Sequence, residues 1–132
     1  MILVDTSVLI DLLRGTDTPA TRELERLERG GVPYHVPMIC AQAVLQGARD
    51  DREWARLHRS LSTQRLLEPQ SAWAVYVEAA RIAYDTRRAG FTIRSAIDCL
   101  VAAQVLEQAG TLLHSDRDYD RIAQVRPLRT WP

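Results

Sequence analysis

Three aspartates carry the chemistry open to this sequence. Asp5 follows the apolar run Met1-Ile2-Leu3-Val4 and precedes two hydroxyls, Thr6 and Ser7. Asp98 interrupts an otherwise apolar stretch that includes Ile97, Cys99, Leu100 and Val101, and Asp116 follows Leu112-Leu113-His114-Ser115. Taken singly, each acid reads as a helix cap. Aspartate accepts hydrogen bonds from the free amides of a first turn, and Ser95-Ala96-Ile97-Asp98 fits a variant of the capping box. Taken together they read differently. Carboxylates gathered within a few ångströms repel one another, so either some hold protons or a cation joins them. Oxygen-only ligands suit Mg²⁺ or Mn²⁺, and such an ion activates water and offsets the charge that builds on a phosphodiester under attack.

Whether the acids meet depends on the elements that carry them. Residues 1–4 read as a short buried strand ending in Asp5, with Thr6 and Ser7 opening a helix through Val8, Leu9, Ile10, Leu12 and Leu13. After the turn at Gly15 to Pro19, residues 20–29 form a short polar helix closed by Gly30-Gly31. Tyr34-His35-Val36 is a second strand, and a third helix spans residues 38–48, with Ile39, Cys40, Ala43, Val44 and Gly47 expected on its inner face. A helix from Asp50-Asp51 turns Trp54, Leu57 and Leu61 towards the core; Arg49, Arg52, Arg56 and Arg59 form a second stripe, read as a solvated face.

Residues 65–69 form an edge-like strand, because Pro69 cannot continue a ladder. A long amphipathic helix over residues 71–89 places Trp73, Tyr76, Val77, Ala80, Ala83 and Tyr84 in core or dimer contacts, with Arg81, Arg87, Arg88 and Arg94 at or just beyond its end. The helix over residues 96–109 is apolar nearly all round and therefore buried on several sides. Residues 111–114 give a fourth strand, a short helix carries Ile122 and Ala123, and residues 128–131 give a fifth strand. Strands alternating with helices predict an α/β fold: three α/β/α layers around a short, mainly parallel sheet of four to five strands. Asp5 and Asp116 would then leave the same edge of that sheet, where open α/β sheets bind their ligands.

With 132 residues the chain is long enough for a single domain that buries roughly two thirds of its unfolded surface. The 46% hydrophobic and 26% charged fractions are those of a soluble globular protein, and no apolar run approaches a membrane span. With no room for a leader before the first strand, the expected compartment is the cytoplasm. Seventeen basic residues balance 17 acids, so no overall field draws a polyanion and any nucleic-acid contact is local. All 17 basic residues are arginine, which excludes chemistry that needs a catalytic lysine and suits bidentate phosphate contact. Cys40 and Cys99 read as buried free thiols.

The ordered set Val4-Asp5-Thr6-Ser7-Val8-Leu9-Ile10, Ile39-Cys40-Ala41-Gln42-Ala43-Val44-Leu45-Gln46-Gly47, Asp98-Cys99-Leu100-Val101-Ala102-Ala103 and His114-Ser115-Asp116-Arg117-Asp118-Tyr119 resembles PIN-domain ribonuclease toxins of the VapC type over the whole chain. The resemblance implies a single PIN-like nuclease domain over residues 1–132 that hydrolyses RNA, with tRNA or rRNA as substrate. It implies Asp5, Asp98 and Asp116 as catalytic ligands of Mg²⁺, with Mn²⁺ as an alternative ion. Thr6 and Ser115 would support the site, and Asp118 would assist through water. Arg14, Arg87, Arg88 and Arg94 are candidate phosphate contacts, chosen because they stand near the ends of elements leading towards the acids. A VapB-type antitoxin is the implied partner, with operator DNA reached only through it. The helices over residues 20–29 and 51–62 are candidate antitoxin faces, and a homodimer is implied.

One position departs from the family pattern. The third helix of such toxins carries a glutamate where Ala43 stands, and Gln42 offers no carboxylate in its place. Alanine keeps helix propensity while deleting a ligand, as a deliberately introduced inactivating substitution would; a naturally degenerate member is the second explanation. Other aspartate-centred folds match less well. A haloacid-dehalogenase-type phosphatase needs an acid where Ser7 stands, and a receiver domain needs a lysine. The rival from another class is a PIN-like module that binds protein or RNA without cutting. Three retained acids argue against it, since without a cation they would repel one another to no purpose.

Overall fold

The computed structural model describes residues 1–132, and its elements alternate as the sequence pattern predicts. Strand β1 (Ile2–Val4) leads into α1 (Thr6–Leu13), followed by α2 (Pro19–Arg29), β2 (Val36–Pro37), α3 (Met38–Gln46) and α4 (Asp51–Ser62). The second half holds β3 (Leu66–Leu67), α5 (Ala72–Arg88), α6 (Ala96–Glu107), β4 (Thr111–Leu113), α7 (Arg117–Ile122) and β5 (Arg129–Trp131).

Every strand pairing is parallel. β1 pairs with β4 and β4 with β5, while β2 pairs with β3. A parallel bridge between Leu3 and His35 joins the two groups, with Val4 N donating to His35 O at 3.0 Å and His35 N donating to Ile2 O at 2.8 Å. The spatial order is therefore β3-β2-β1-β4-β5, which reverses direction between β1 and β4. At such a reversal the connections leave on opposite faces, opening a crevice at the carboxyl ends of the two strands. Asp5 lies there because it directly follows β1, and Ser115-Asp116 because only His114 separates it from β4.

The strands are two or three residues long, so helices supply most of the core. Leu3, Val4, Leu112 and Leu113 are fully buried in the sheet, and Val101, Ala102, Ala103 and Val105 of α6 are buried with them. α6 packs along the full inner face of α5, and Gln104, itself buried, donates from Nε2 to Leu67 O at 2.9 Å. Its C-terminus is tight: Ala109 adopts a left-handed φ of 48°, and at Gly110 a Cβ would lie 2.6 Å from Leu3 Cδ1. Only glycine lets the chain pass that close to β1. Cys40 and Cys99 are buried and unpaired, as expected.

Three expectations about faces are corrected. In α5 the buried side is Val75, Ala79, Ile82 and Thr86. Of the core or dimer contacts expected for the stripe chosen from the sequence, the core alternative is excluded for Trp73, Tyr76, Val77 and Tyr84, which are 79%, 55%, 47% and 40% exposed. Val75, Ala79 and Ile82 join the core, and Arg126 spans from the C-terminal segment to Glu78 at 2.6 Å and Asp85 at 2.9 Å along the flank of the same helix. Trp54 of α4 is likewise 47% exposed, leaving Leu57 and Leu61 to anchor the helix. In α3 the buried residues are Cys40, Ala41 and Val44, with Ala43 half-buried and Gly47 exposed.

Candidate metal centre

Asp5 is held by donors on both of its oxygens. It is the N-cap of α1, with extended backbone at φ −80° and ψ 158°. Oδ2 accepts from Ser7 N at 3.0 Å and from Ser7 Oγ at 2.6 Å. Oδ1 accepts from the Tyr119 hydroxyl at 2.6 Å, and the Cys40 thiol lies 3.8 Å away. Ser7 Oγ in turn accepts from Ser115 N at 3.0 Å, so one serine ties the turn after β1 to the turn after β4. The carboxylate is 3% exposed and fully partnered, as a buried charge must be.

Asp116 caps α7, its Oδ1 accepting from Asp118 N at 2.9 Å, and its own N–H donates to His114 Nδ1 at 3.1 Å. Burial lowers the His114 pKa, partly offset by Asp120 and Asp5, so the neutral imidazole presents Nδ1 as an acceptor. Asp118 is 4% exposed; its Oδ1 accepts from Arg121 at 2.6 Å and its Oδ2 from Arg94 N at 3.3 Å. Ser95, not Asp98, caps α6 by accepting from Ile97 N at 3.2 Å. Asp98 is left 8% exposed, and burial, then the charges of Asp116, Asp5 and Asp118, push its carboxyl up to about 7. No neighbour acts in the opposite direction.

Carboxylate oxygens of Asp98, Asp116 and Asp118 all lie within 4.8 Å of one another. Asp5 borders this trio, close enough for its charge to act on Asp98 and on the Tyr119 hydroxyl. Burial first, and then Asp5 and Asp98, raise the Tyr119 pKa well above its ordinary value, so the group remains a donor. The same burial pushes Cys40 up to about 12 and Cys99 up to about 11, which leaves both thiols inert. The donor set is oxygen-only, with Asp98 and Asp118 buried and Asp116 half-buried, and Asp98 has no compensating partner; it fits a hard divalent cation.

Of the residues singled out from sequence, Asp5, Asp98, Asp116, Thr6, Ser115 and Arg94 come together. Thr6 Oγ1 is buried without a partner. Arg94 reaches the acids through its backbone, with its side chain exposed. Arg87 and Arg88 lie elsewhere, on the exposed end of α5, 5.9 and 5.8 Å from the Tyr84 ring. Arg14 is not brought to the acids either. It caps the far end of α1, roughly 13 Å along the axis from Asp5, and lines a cavity of about 420 Å³ between α1, α3 and α4 with Ile10, Leu13, Arg49, Glu53 and Leu57. Position 43 lies three residues from Cys40, and hence on the side of α3 that touches Asp5.

Sequence reasoning missed Tyr119, His114, Arg121 and the hydroxyl of Ser7. Ser7 had a local signal, since it stands two residues after an N-cap acid. The Tyr119 hydroxyl had none, because its acceptor is 114 positions away.

Comparison with known proteins bears on this arrangement. A family model described as the PIN domain matches residues 2–125. The chain is 35% identical to "VapC ribonuclease Mb1587" of Mycobacterium bovis and equally to "Ribonuclease VapC11" of Mycobacterium tuberculosis, in each case over 98% of this chain and 96% of the relative. Among solved structures, the fold is similar to a chain of VapBC2 from Rickettsia felis bound to promoter DNA (TM-score 0.74, 16% identity, 100% of both chains). It is also similar to a chain of FitAcB from Neisseria gonorrhoeae (TM-score 0.73, 21% identity, 100% of this chain and 97% of the other).

Proposed function

The chain belongs to the PIN-domain family, among the VapC ribonucleases, and from that premise we propose that its acids form the centre of a Mg²⁺-dependent endoribonuclease, the toxin of a toxin–antitoxin pair. The observation that carries the reading is the convergence of Asp98, Asp116 and Asp118 within 4.8 Å, beside a buried Asp5, at the crevice between β1 and β4. A single capping role accounts for Asp5 and Asp116 but leaves Asp98 buried without a donor.

Asp5, Asp98 and Asp116 would hold Mg²⁺, or Mn²⁺ in its place, with Asp118 assisting through water. A divalent ion there supplies an activated water and offsets charge on the scissile phosphate. The chain's own residues do the rest. Ser7 and Tyr119 fix Asp5, Arg121 neutralises part of Asp118, and Arg94 is the arginine best placed for substrate phosphate. Arg87 and Arg88, at the C-terminal end of α5, would meet RNA further from the cut. The substrate is an exposed loop of tRNA or rRNA, because local contacts of this kind suit unpaired segments.

Ala43 weakens this centre. An alanine on the Asp5 side of α3 stands where a fourth acid would complete the set, whether the substitution is natural or introduced. A catalytically dead PIN-like module that binds protein or RNA is the alternative, and Ala43 favours it. Mg²⁺-dependent cleavage of total RNA by this chain and by Ala43→Glu separates the two. Cleavage at a discrete tRNA or rRNA site by Ala43→Glu supports the toxin; no cleavage by either protein supports the binding module.

The partner on this reading is a VapB-type antitoxin, through which alone operator DNA is reached. The cavity lined by Ile10, Leu13, Arg14, Arg49 and Arg56 suits an apolar and acidic antitoxin segment, and it includes one flank of α4. A second copy of the chain would cover Trp73, Tyr76 and Tyr84 of α5; Trp73→Glu would then convert a dimer into a monomer by light scattering. No helix is long and apolar enough to cross a membrane, and a toxin acting on tRNA or rRNA would work in the cytoplasm.

A further inference from the structure

We infer that Tyr119 is the positioning residue of this centre, holding Asp5 and Asp116 in the geometry that a divalent ion requires; the inference rests on the metal reading above. Its ring is fully buried, and the packing role alone would be served by phenylalanine. The hydroxyl adds something packing does not need. It donates to Asp5 Oδ1 at 2.6 Å, while Ser7 donates twice to Oδ2. Donors on both oxygens stop the carboxylate from turning about its own axis.

The same ring reaches the second acid. It lies 4.9 Å from the His114 ring, tilted by 55°, and His114 Nδ1 accepts the Asp116 N–H at 3.1 Å. Tyr119 therefore connects the ligand that ends β1 with the ligand that follows β4, across a crevice otherwise bridged by Ser115 N donating to Ser7 Oγ at 3.0 Å and by the backbone bond from Asp5 N to Leu113 O at 3.0 Å. Groups that orient metal ligands from behind typically cost about 10–100-fold in metal affinity when removed. An unpinned Asp5 must be ordered by the ion itself, and the loss appears as weaker binding.

The test is Mn²⁺ titration by calorimetry and by electron paramagnetic resonance, on the full chain and on Tyr119→Phe, with Ile122→Val as a control that loosens the same buried helix. Tyr119→Phe should bind Mn²⁺ about 10-fold more weakly, while Ile122→Val binds as the parent does. Binding by Tyr119→Phe within about twofold of the parent would overturn the inference and leave the metal reading intact. Equal weakening in both variants would overturn it too, by tracing the effect to general loosening. If neither the parent nor Ala43→Glu binds Mn²⁺, the metal reading itself fails and the inference falls with it.

Discussion

The turn after β1 and the first turn of α6 each bury one aspartate at the same crevice, 3% exposed at Asp5 and 8% at Asp98, yet the two are satisfied in opposite ways. Asp5 receives Ser7 N, Ser7 Oγ and the Tyr119 hydroxyl. Asp98 receives none of these; Ser95 has taken its capping role, and three neighbouring carboxylates face it. One acid has hydrogen-bond donors on both oxygens, whereas the other must hold a proton or meet a cation. The difference teaches that burial alone does not mark a functional acid. A buried acid without a donor does, because folding gains nothing from it.

Extending the contrast across the crevice should have the largest effect. Ala43→Glu adds a carboxylate on the Asp5 side of α3, a further acid that only a cation compensates. RNA cleavage in Mg²⁺ should rise by about 100-fold or more, a range comparable to losing or gaining one transition-state contact, as read by gel or sequencing of cut ends. Equal rates in the two proteins would mean that position 43 does not matter.

Exchanging the two acids for asparagine should move stability in opposite directions. Asp5→Asn places an amide where donors already point, and removing charge-assisted hydrogen bonds from a buried group costs about 2–3 kcal/mol; metal-free Tm should fall by roughly 5–10 °C. Asp98→Asn removes a repelled charge and should raise metal-free Tm at pH 8 by a few degrees, about 3–6 °C. Mg²⁺ should raise the Tm of the parent, and both variants should lose that increase. Thermal melts with and without the ion check all three expectations.

Much of this arrangement was legible in the sequence, and the reason is local. Asp5 and Asp116 announce themselves because each follows a β-branched or leucine-rich run and opens a helix. Alternating elements implied a short, mainly parallel sheet, but its order β3-β2-β1-β4-β5 came only with the pairings. What failed was orientation that depends on distant partners. The outer face of α5 looks like a core face by spacing, and the side that turns in is set by packing of Val75, Ala79 and Ile82 in the core together with the ion pair from Arg126, 48 positions from Glu78. Arg14 stood near an acid in sequence but lies a whole helix away from it. Tyr119 stood only at the end of a motif, with no role of its own, since its hydroxyl partner lies at the other end of the chain.

A smaller effect follows from pH. Asp98 is raised from an ordinary 3.8 to about 7 in the folded chain, so between those values the native state binds a proton that the unfolded state has released. Stability from this group is complete below about pH 4 and declines as pH rises through about 7, so its contribution should cost the metal-free protein a few degrees of Tm by pH 8. Comparison with Asp98→Asn isolates that slope from the other carboxylates, and it should be absent in the variant. Saturating Mg²⁺ should also flatten it in the parent, because a bound cation replaces the proton as the partner of Asp98. A slope that persists unchanged in Asp98→Asn would assign the titration to another acid and remove the distinction between the two turns.

The smallest expected effect concerns arginines. Arg94 touches the acids through its backbone and projects its side chain outward, whereas Arg14 lines the cavity at the far end of α1. In the Ala43→Glu background, Arg94→Ala should raise KM for RNA by about three- to tenfold with kcat little changed, the pattern of lost ground-state binding. Arg14→Ala should leave both constants within about twofold and instead weaken capture of the antitoxin. The reverse result, with Arg14 governing KM, would place the RNA path over α1 and α4 and assign the cavity to substrate rather than to a protein partner.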